Sequence, residues 1–354
     1  MLNRDQVYQL CFFRKCPDNI FNEDQFPLDL LKQISYFHDP DADQLVQLIA
    51  DGNKDAAKKL LDKNPRLVLQ AANVVTPGGM TLKRIMPYEC ALIGDPDMAL
   101  MVGDYFEKIE LKDNSIKKED FVNECKKLRE EQFKRYEQAI DNMLNVKSYD
   151  FTSLINIIKK SSAQDVTAEL DHTENHQSKL RTALEAFRKV FAPVELKKAP
   201  EQIEYIGFID ASLLQILKIL SDEWNTLSNY GSNYDKCDLV WRQLIGFIER
   251  RLSAVERFAL AQGVDDINGG AMLARSLKYK YDNKNEFPLT PIDNSHSGLG
   301  FDFAVSIYAM SCVGVLGGRT GRVWAEVLKN YFEQKQQDFQ KLSSSCNIHL
   351  RRTK

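Results

Sequence analysis

The chain has 354 residues, 44 % of them hydrophobic and 27 % charged, with a formal net charge of -3. This is the balance of a globular protein with a sizeable core, long enough for two domains at roughly 100–200 residues each. So small a net charge excludes long-range attraction of the whole molecule to nucleic acid or to an anionic membrane, although a local basic patch stays compatible with it.

The start, MLNRDQVYQLCFFRKC, lacks a basic segment followed by an apolar run and a small-residue cleavage site, so no Sec signal peptide is expected. Asp29 to Phe37 predicts a short helix, stopped by Asp39-Pro40. From Asp43 the spacing predicts a helix with Leu45, Leu48 and Ile49 on one face, broken at Gly52. A second helix follows, with Ala56, Ala57, Leu60 and Leu61 inward, ending near Asn64-Pro65. Residues 70–85 change character. Val74, Val75 and Thr76 favour extended structure, Pro77-Gly78-Gly79 marks a turn, and Thr81, Leu82 and Ile85 suit a returning strand. Helix–turn–helix then recurs: Pro87 fits a first helical turn, Gly94-Asp95-Pro96-Asp97 turns the chain, and 98–106 is helical again.

Beyond Leu111, Phe121, Cys125, Leu128, Tyr136, Ile140 and Met143 mark a long amphipathic helix. A shorter helix is predicted over 151–160, and another long one from about 164 to 191, with Leu180, Leu184, Phe187 and Phe191 inward. Pro193 and Pro200 bracket a loop. Two helices fill 201–262, separated by Asn229 to Asn233, with Gly263 as a stop. Residues 277–281 alternate Leu and Tyr with Lys, the period of a strand. An apolar helix over about 301–316, the turn GGRTGR and a last helix from Val323 to about Leu342 complete the chain, and the tail 343–354 reads as loose. The longest uncharged run, 303–318, is shorter than the ~18–20 residues needed to cross a bilayer, so no transmembrane segment is expected.

The expected fold is therefore mostly α: helix pairs with a β-hairpin insert, then a helical-bundle domain with a minor extended hairpin. The expected division is 1–112, 113–200, 201–342 and a flexible tail. No αβ alternation supports a doubly wound sheet.

The helix pairs 43–64 and 86–106 overlay with Gly52 on Gly94, an offset of 42 residues. Each glycine is followed three positions on by an acidic residue. Residues 86–91, Met-Pro-Tyr-Glu-Cys-Ala, are similar to the ankyrin motif Thr-Pro-Leu-His-x-Ala, matching at Pro87 and Ala91 and departing at Met86, Tyr88 and Glu89. The offset exceeds the ankyrin repeat of about 33, and a hairpin finger over 70–85 would take up the difference. With GNKDAAKKLLDKNPRLVLQ, the module at 41–108 resembles the divergent ankyrin-like modules of Dot/Icm type IV secreted effectors of intracellular bacterial pathogens. RSLKYKYDNKNEFPL and SGLGFDFAVSIY look like a C-terminal pattern of the same class. The resemblance implies a protein exported from the bacterial cytoplasm into the host cell cytoplasm, where it binds a host protein. Tips and exposed loops carry function on such scaffolds, so Asn73, Thr76, Met80, Lys83 and Arg84 are the expected partner-binding residues.

Chemical motifs are weak. His172 and His176 are four apart, but a zincin needs Glu directly after the first His, and Glu174 is displaced; a solvated helix face is the plainer reading. GVLGGRTGR has three residues between Gly317 and Gly321 where a phosphate loop needs four, and lacks the Lys. Arg319 and Arg322 beside the last helix remain candidate anion-binding residues. His296, Asp293, Asp302 and Cys312 form the best loose constellation for an enzyme of unknown class with a site in 264–322, but Cys312 lies in an apolar run where cysteine is inert core. The aromatic and basic KYKY at 278–281 reads as a half-buried strand, and no nucleic-acid partner is expected. The seven cysteines are scattered without a Cys-x-x-Cys pair, the pattern of reduced thiols. No catalytic residue, cofactor or metal is assigned. A third reading is an effector binding anionic phospholipid through Arg319, Arg322, Arg351 and Arg352, by peripheral membrane contact.

Overall fold

The computed structural model describes residues 40–109, 118–196, 198–262, 267–273, 275 and 319–351. These are mostly helical with one small sheet of order β1-β2-β3. The chain divides into two compact units, 1–74 with 82–135, and 75–81 with 136–354. This division differs from the expected one: its boundary falls inside a long helix, and the hairpin tip belongs to the second unit.

In the first unit, α1 (Pro40–Ala50) and α2 (Lys54–Lys63) form one pair, α3 (Pro87–Leu92) and α4 (Pro96–Asp104) the other. Helix α1 begins three residues before Asp43, because proline is well suited to a first helical turn. Its buried Ala42, Leu45, Val46 and Ile49 recur at three- and four-residue steps, the stripe of a core-facing helix. The two pairs share their punctuation. First helices end at Ala50 and Leu92, second helices begin at Lys54 and Pro96, in both cases 42 residues apart. Each second helix is capped by a side chain one residue after the shared glycine: Asn53 Oδ1 accepts from Ala56 N at 3.2 Å, Asp95 Oδ1 from Met98 N at 3.0 Å. Such caps stabilise by about 1 kcal/mol each.

The pairs stack, α1 on α3 and α2 on α4. The Cys90 thiol lies 3.8 Å from the Val46 carbonyl. Lys54 Nζ meets Asp97 Oδ1 at 2.7 Å, and the Tyr105 hydroxyl donates to Asp62. Between the pairs run a 3-10 turn (Pro65–Leu69) and the strands β1 (Ala72–Val75) and β2 (Thr81–Ile85). Helix α5 (Lys118–Asn142) contributes its residues up to 135 to this unit. There Arg135 Nε donates to Glu89 Oε1 at 2.8 Å, and Glu89 Oε2 accepts from Met86 N at 3.3 Å, closing the start of α3.

The second unit holds the end of α5, then α6 (Thr152–Lys160), α7 (Ala163–Leu170), α8 (Lys179–Val190), β3 (Glu195–Leu196) and α9 (Ala199–Asp222). Then come α10 (Trp224–Leu227), α11 (Asp235–Leu239), a π-helical stretch (Val240–Ile245), α12 (Gly246–Glu249), α13 (Ala254–Gln262) and α14 (Arg319–Arg351). Helix α9 packs along α14. The core gathers Phe151, Phe187, Phe191 and Phe247 with the aliphatic faces of α6, α8 and α9. Tyr149 stands edge-on to Phe151, Phe187 and Phe191 at 4.8, 5.6 and 5.7 Å. Gly207 lets α9 press on the preceding segment, since a Cβ there would sit 2.6 Å from the Met143 carbonyl oxygen.

Several expectations change. The single helix over 164–191 is two helices, broken where His172 and Asn175 take positive φ of 56 and 60°. Ser178 Oγ caps α8 through Arg181 N at 3.0 Å, and Arg181 spans the break to Glu169 Oε1 at 2.6 Å and the Thr173 carbonyl at 2.9 Å. The second helix of 201–262 is also interrupted, because Ser253 and Glu256 form a reciprocal capping box that restarts the chain as α13. The last helix starts at Arg319 and continues through the supposedly loose tail to Arg351. Ser343 Oγ, bonded to Glu137 Oε1 at 2.9 Å, holds it where the tail was expected to begin. The predicted helices 29–37 and 301–316 and strand 277–281 lie outside the described residues.

Candidate interaction site on the hairpin

The five expected partner-binding residues fall into two groups. Asn73, Lys83 and Arg84 are exposed at the base of the hairpin, in the first unit. Strand β2 does not alternate regularly: Leu82 is buried, Lys83 and Arg84 are both exposed, and Ile85 is buried again. A regular strand sends successive side chains to opposite faces. The irregularity arises at Arg84, whose φ of 54° puts it in the left-handed region. That conformation costs a non-glycine residue roughly 1–2 kcal/mol. The strand retains it partly because Arg84 N donates to Asn73 Oδ1 at 2.9 Å. The result is two consecutive exposed cationic residues, with the Asn73 amide bonded to the second.

Thr76 and Met80 belong to the tip, in the second unit. Thr76 N donates to the Met80 carbonyl at 2.9 Å, Met80 N to Thr76 Oγ1 at 3.1 Å, and Gly79 N to the Thr76 carbonyl at 2.8 Å. Met80 is 4 % exposed. The expectation that Met80 offers its side chain to a partner is corrected by this burial, and Thr76 is half-buried with its hydroxyl used inside the turn.

The tip is held by cations that the sequence reading did not single out. Arg257 Nη2 donates to the Pro77 carbonyl at 2.8 Å, and Arg251 Nη1 to the Gly78 carbonyl at 3.1 Å. Gly78 is required there: a Cβ would lie 2.4 Å from the Arg251 carbonyl oxygen. Thr81 N donates to the Val194 carbonyl at 2.7 Å, joining β3 to the sheet. Arg250 and Arg251 both sit over the Phe247 ring, at 5.0 and 5.6 Å from its centre. Burial, and then the charges of Arg251 and Arg250, bring Arg257 down to about 9. Burial also lowers Arg251. The only early signal was the Arg-Arg pair at 250–251, which reads as surface in a sequence.

A second buried charge centre joins α9, α13 and α14. Lys335 Nζ bonds to Glu256 and stands 3.7 Å from Asp210 Oδ2, and all three side chains are nearly inaccessible. Both Asp210 oxygens lack a hydrogen-bond partner among the described residues. Burial, then the Glu256 charge, pushes the Asp210 carboxyl well above its usual range against the pull of Lys335.

His172 and His176 lie in the break between α7 and α8 rather than along a helix face, and His176 Nε2 is 2.8 Å from Asp165 Oδ1. Arg319 and Arg322 fall in the first turn of α14, with side chains outside the described residues. His296, Asp293, Asp302 and Cys312 also lie outside them. Among the described residues, no group of three or more His, Cys, Asp or Glu is placed to hold a metal ion, and no helix is long and apolar enough to cross a membrane. No family model, curated protein or solved structure matches the chain.

Proposed function

We propose that the chain is a protein-binding module whose recognition surface is the base of the hairpin, Asn73, Lys83 and Arg84. The observation that carries this reading is the irregularity in β2, which leaves Lys83 and Arg84 consecutive and both exposed at the expense of a left-handed Arg84. Strained, exposed positions of this kind concentrate at functional sites. Two adjacent cations favour a partner surface rich in carboxylates, and arginine can engage a carboxylate through two parallel hydrogen bonds.

The biological setting in this proposal is a secreted bacterial effector, made in the bacterial cytoplasm and acting on a host protein in the host cell cytoplasm. That part rests on the resemblance of residues 41–108, 275–289 and 297–308.

The test is capture of proteins from eukaryotic cell lysate by the full chain and by a Lys83→Glu/Arg84→Glu variant of unchanged thermal stability. Specific partners of the unaltered chain should be lost or weakened at least ten-fold in the variant. Identical capture by both would overturn the assignment of this surface.

A further inference from the structure

Helices α9 and α14, which pack along one another, both carry a seven-residue repeat of buried side chains. On α9 the row is Ile203, Asp210 and Leu217; on α14 it is Leu328, Lys335 and Leu342. Residues seven apart on an α-helix drift by only about 20°, so each row shares one face. The rows meet at their centres, where Lys335 Nζ stands 3.7 Å from Asp210 Oδ2. Lys335 is also bonded to Glu256 of α13. Flanking rows keep the same period: Ile206, Leu213 and Leu220 on α9, Phe332 and Phe339 on α14.

Apolar rows of this period do not by themselves choose an alignment. Sliding α14 by seven residues, about 10 Å, brings equivalent positions back into contact. The charges forbid the slide. Lys335 would then face the place of Ile203 or Leu217, and a buried ammonium and a buried carboxyl would each lose its counterpart. Other polar contacts of α14 discriminate less. Gln336 Nε2 donates to the Ile140 and Asp141 carbonyls at 3.2 and 3.0 Å, and Ser343 Oγ to Glu137 Oε1 at 2.9 Å. These bonds are exposed or half-buried, where water can replace either partner. A polar residue at one buried position of a heptad fixes register at a cost in stability. Here the cost shows at Asp210, whose two oxygens accept no hydrogen bond among the described residues.

We propose that Asp210, Glu256 and Lys335 are a register lock, which specifies one alignment of α14 against α9 and α13 and contributes no net stability. The lock is independent of the recognition surface proposed above.

The test removes the three charges together from the full chain, in two fillings of different volume: Asp210→Val/Glu256→Gln/Lys335→Met and Asp210→Leu/Glu256→Gln/Lys335→Leu. The glutamine keeps an acceptor for the Ser253 amide. Urea unfolding reads stability, and methyl NMR of the isoleucines and leucines on α9 and α14 reads register. The unaltered chain should give one signal per methyl, as should Asp210→Asn, which keeps Lys335 and Glu256. At least one triple variant should match or exceed the urea midpoint of the unaltered chain, as when a buried ionic group is replaced by apolar side chains. Each triple variant that folds should show a second set of methyl signals, at about 5 % of the intensity or more, from a slid alignment. A single set in any folded triple variant would overturn the proposal. So would loss of folding or a lowered midpoint in both, because a lock without net stability is dispensable to folding.

Discussion

Asp210, Glu256 and Lys335 allow a sharp test of how buried charge is balanced in the second unit. One ammonium faces two carboxyl groups, and the geometry is unequal. Glu256 is bonded to Lys335 through Oε1 and to the Ser253 amide through Oε2. Asp210 comes no closer to Lys335 than 3.7 Å and accepts no hydrogen bond. Its carboxyl therefore keeps its proton to higher pH than it would in the unfolded chain. Linkage fixes the sign. A group whose folded value is raised contributes stability that is fully present below its unfolded value, near 3.8, and is lost as pH rises through the folded value.

Asp210→Asn replaces that acid with a neutral isostere. It breaks no hydrogen bond, so stability near neutral pH should stay within about 1 kcal/mol of the unaltered chain or exceed it. The decline in stability between acidic and neutral pH should flatten. Glu256→Gln is different. It leaves the buried ammonium facing an uncharged acceptor and weakens the cap of α13, and breaking a buried pair in this way costs about 3–5 kcal/mol. Part of that loss is recoverable, because Asp210 can surrender its proton and answer Lys335. The double variant removes this recourse and should lose more than the two single losses together. Urea unfolding of the full chain across this pH range measures all three. The reasoning fails if Asp210→Asn costs as much as Glu256→Gln, or if the double variant is simply additive.

Three further outcomes follow from the geometry. Gly78→Ala forces its methyl against the Arg251 carbonyl, 2.4 Å away, and should cost about 1–3 kcal/mol, read as a lower urea midpoint and faster amide exchange at 76–81. Arg84→Gly relieves the left-handed strain and should leave stability equal or higher by up to about 1 kcal/mol in the same assay, while abolishing partner capture. Burial raises all three described thiols, Cys125 and Cys237 to about 12 and Cys90 higher still, so iodoacetamide at neutral pH should leave them unmodified until the chain is unfolded, as read by peptide mass mapping.

The parts of the fold that were legible in the sequence depend on neighbours in the chain. Gly52-Asn53 and Gly94-Asp95 announce a helix end followed by a cap, and Pro77-Gly78-Gly79 between Val74 and Thr81 announces a turn between strands. The break after α7 was hidden because DHTENHQS reads as a solvated helix face, while its structure depends on Arg181 reaching back to Glu169. The start of α13 was legible and passed over: Ser253 and Glu256 have the spacing of a capping box. The seating of the hairpin tip was not legible. Arg251 and Arg257 stand 173 and 180 residues from the carbonyls they hold, and nothing local in the sequence ties them together. Of the expected site residues, Asn73, Lys83 and Arg84 are exposed and Met80 at the tip is buried, a difference hidden in the sequence because alternation alone does not say which face is covered.

Arg84 is where the proposed recognition surface departs most from what the local backbone favours. The helix pairs of the first unit keep an offset of 42 residues in their ends and caps, so stacking accounts for the residues that punctuate them. It also accounts for Leu82 and Ile85, which are buried. Lys83 and Arg84, by contrast, are exposed. At φ 54° a glycine would serve the backbone better, and Asn73 would cap its amide equally well. The left-handed backbone of Arg84 beside the exposed Lys83 is thus the feature on which the proposed recognition of an acidic partner rests.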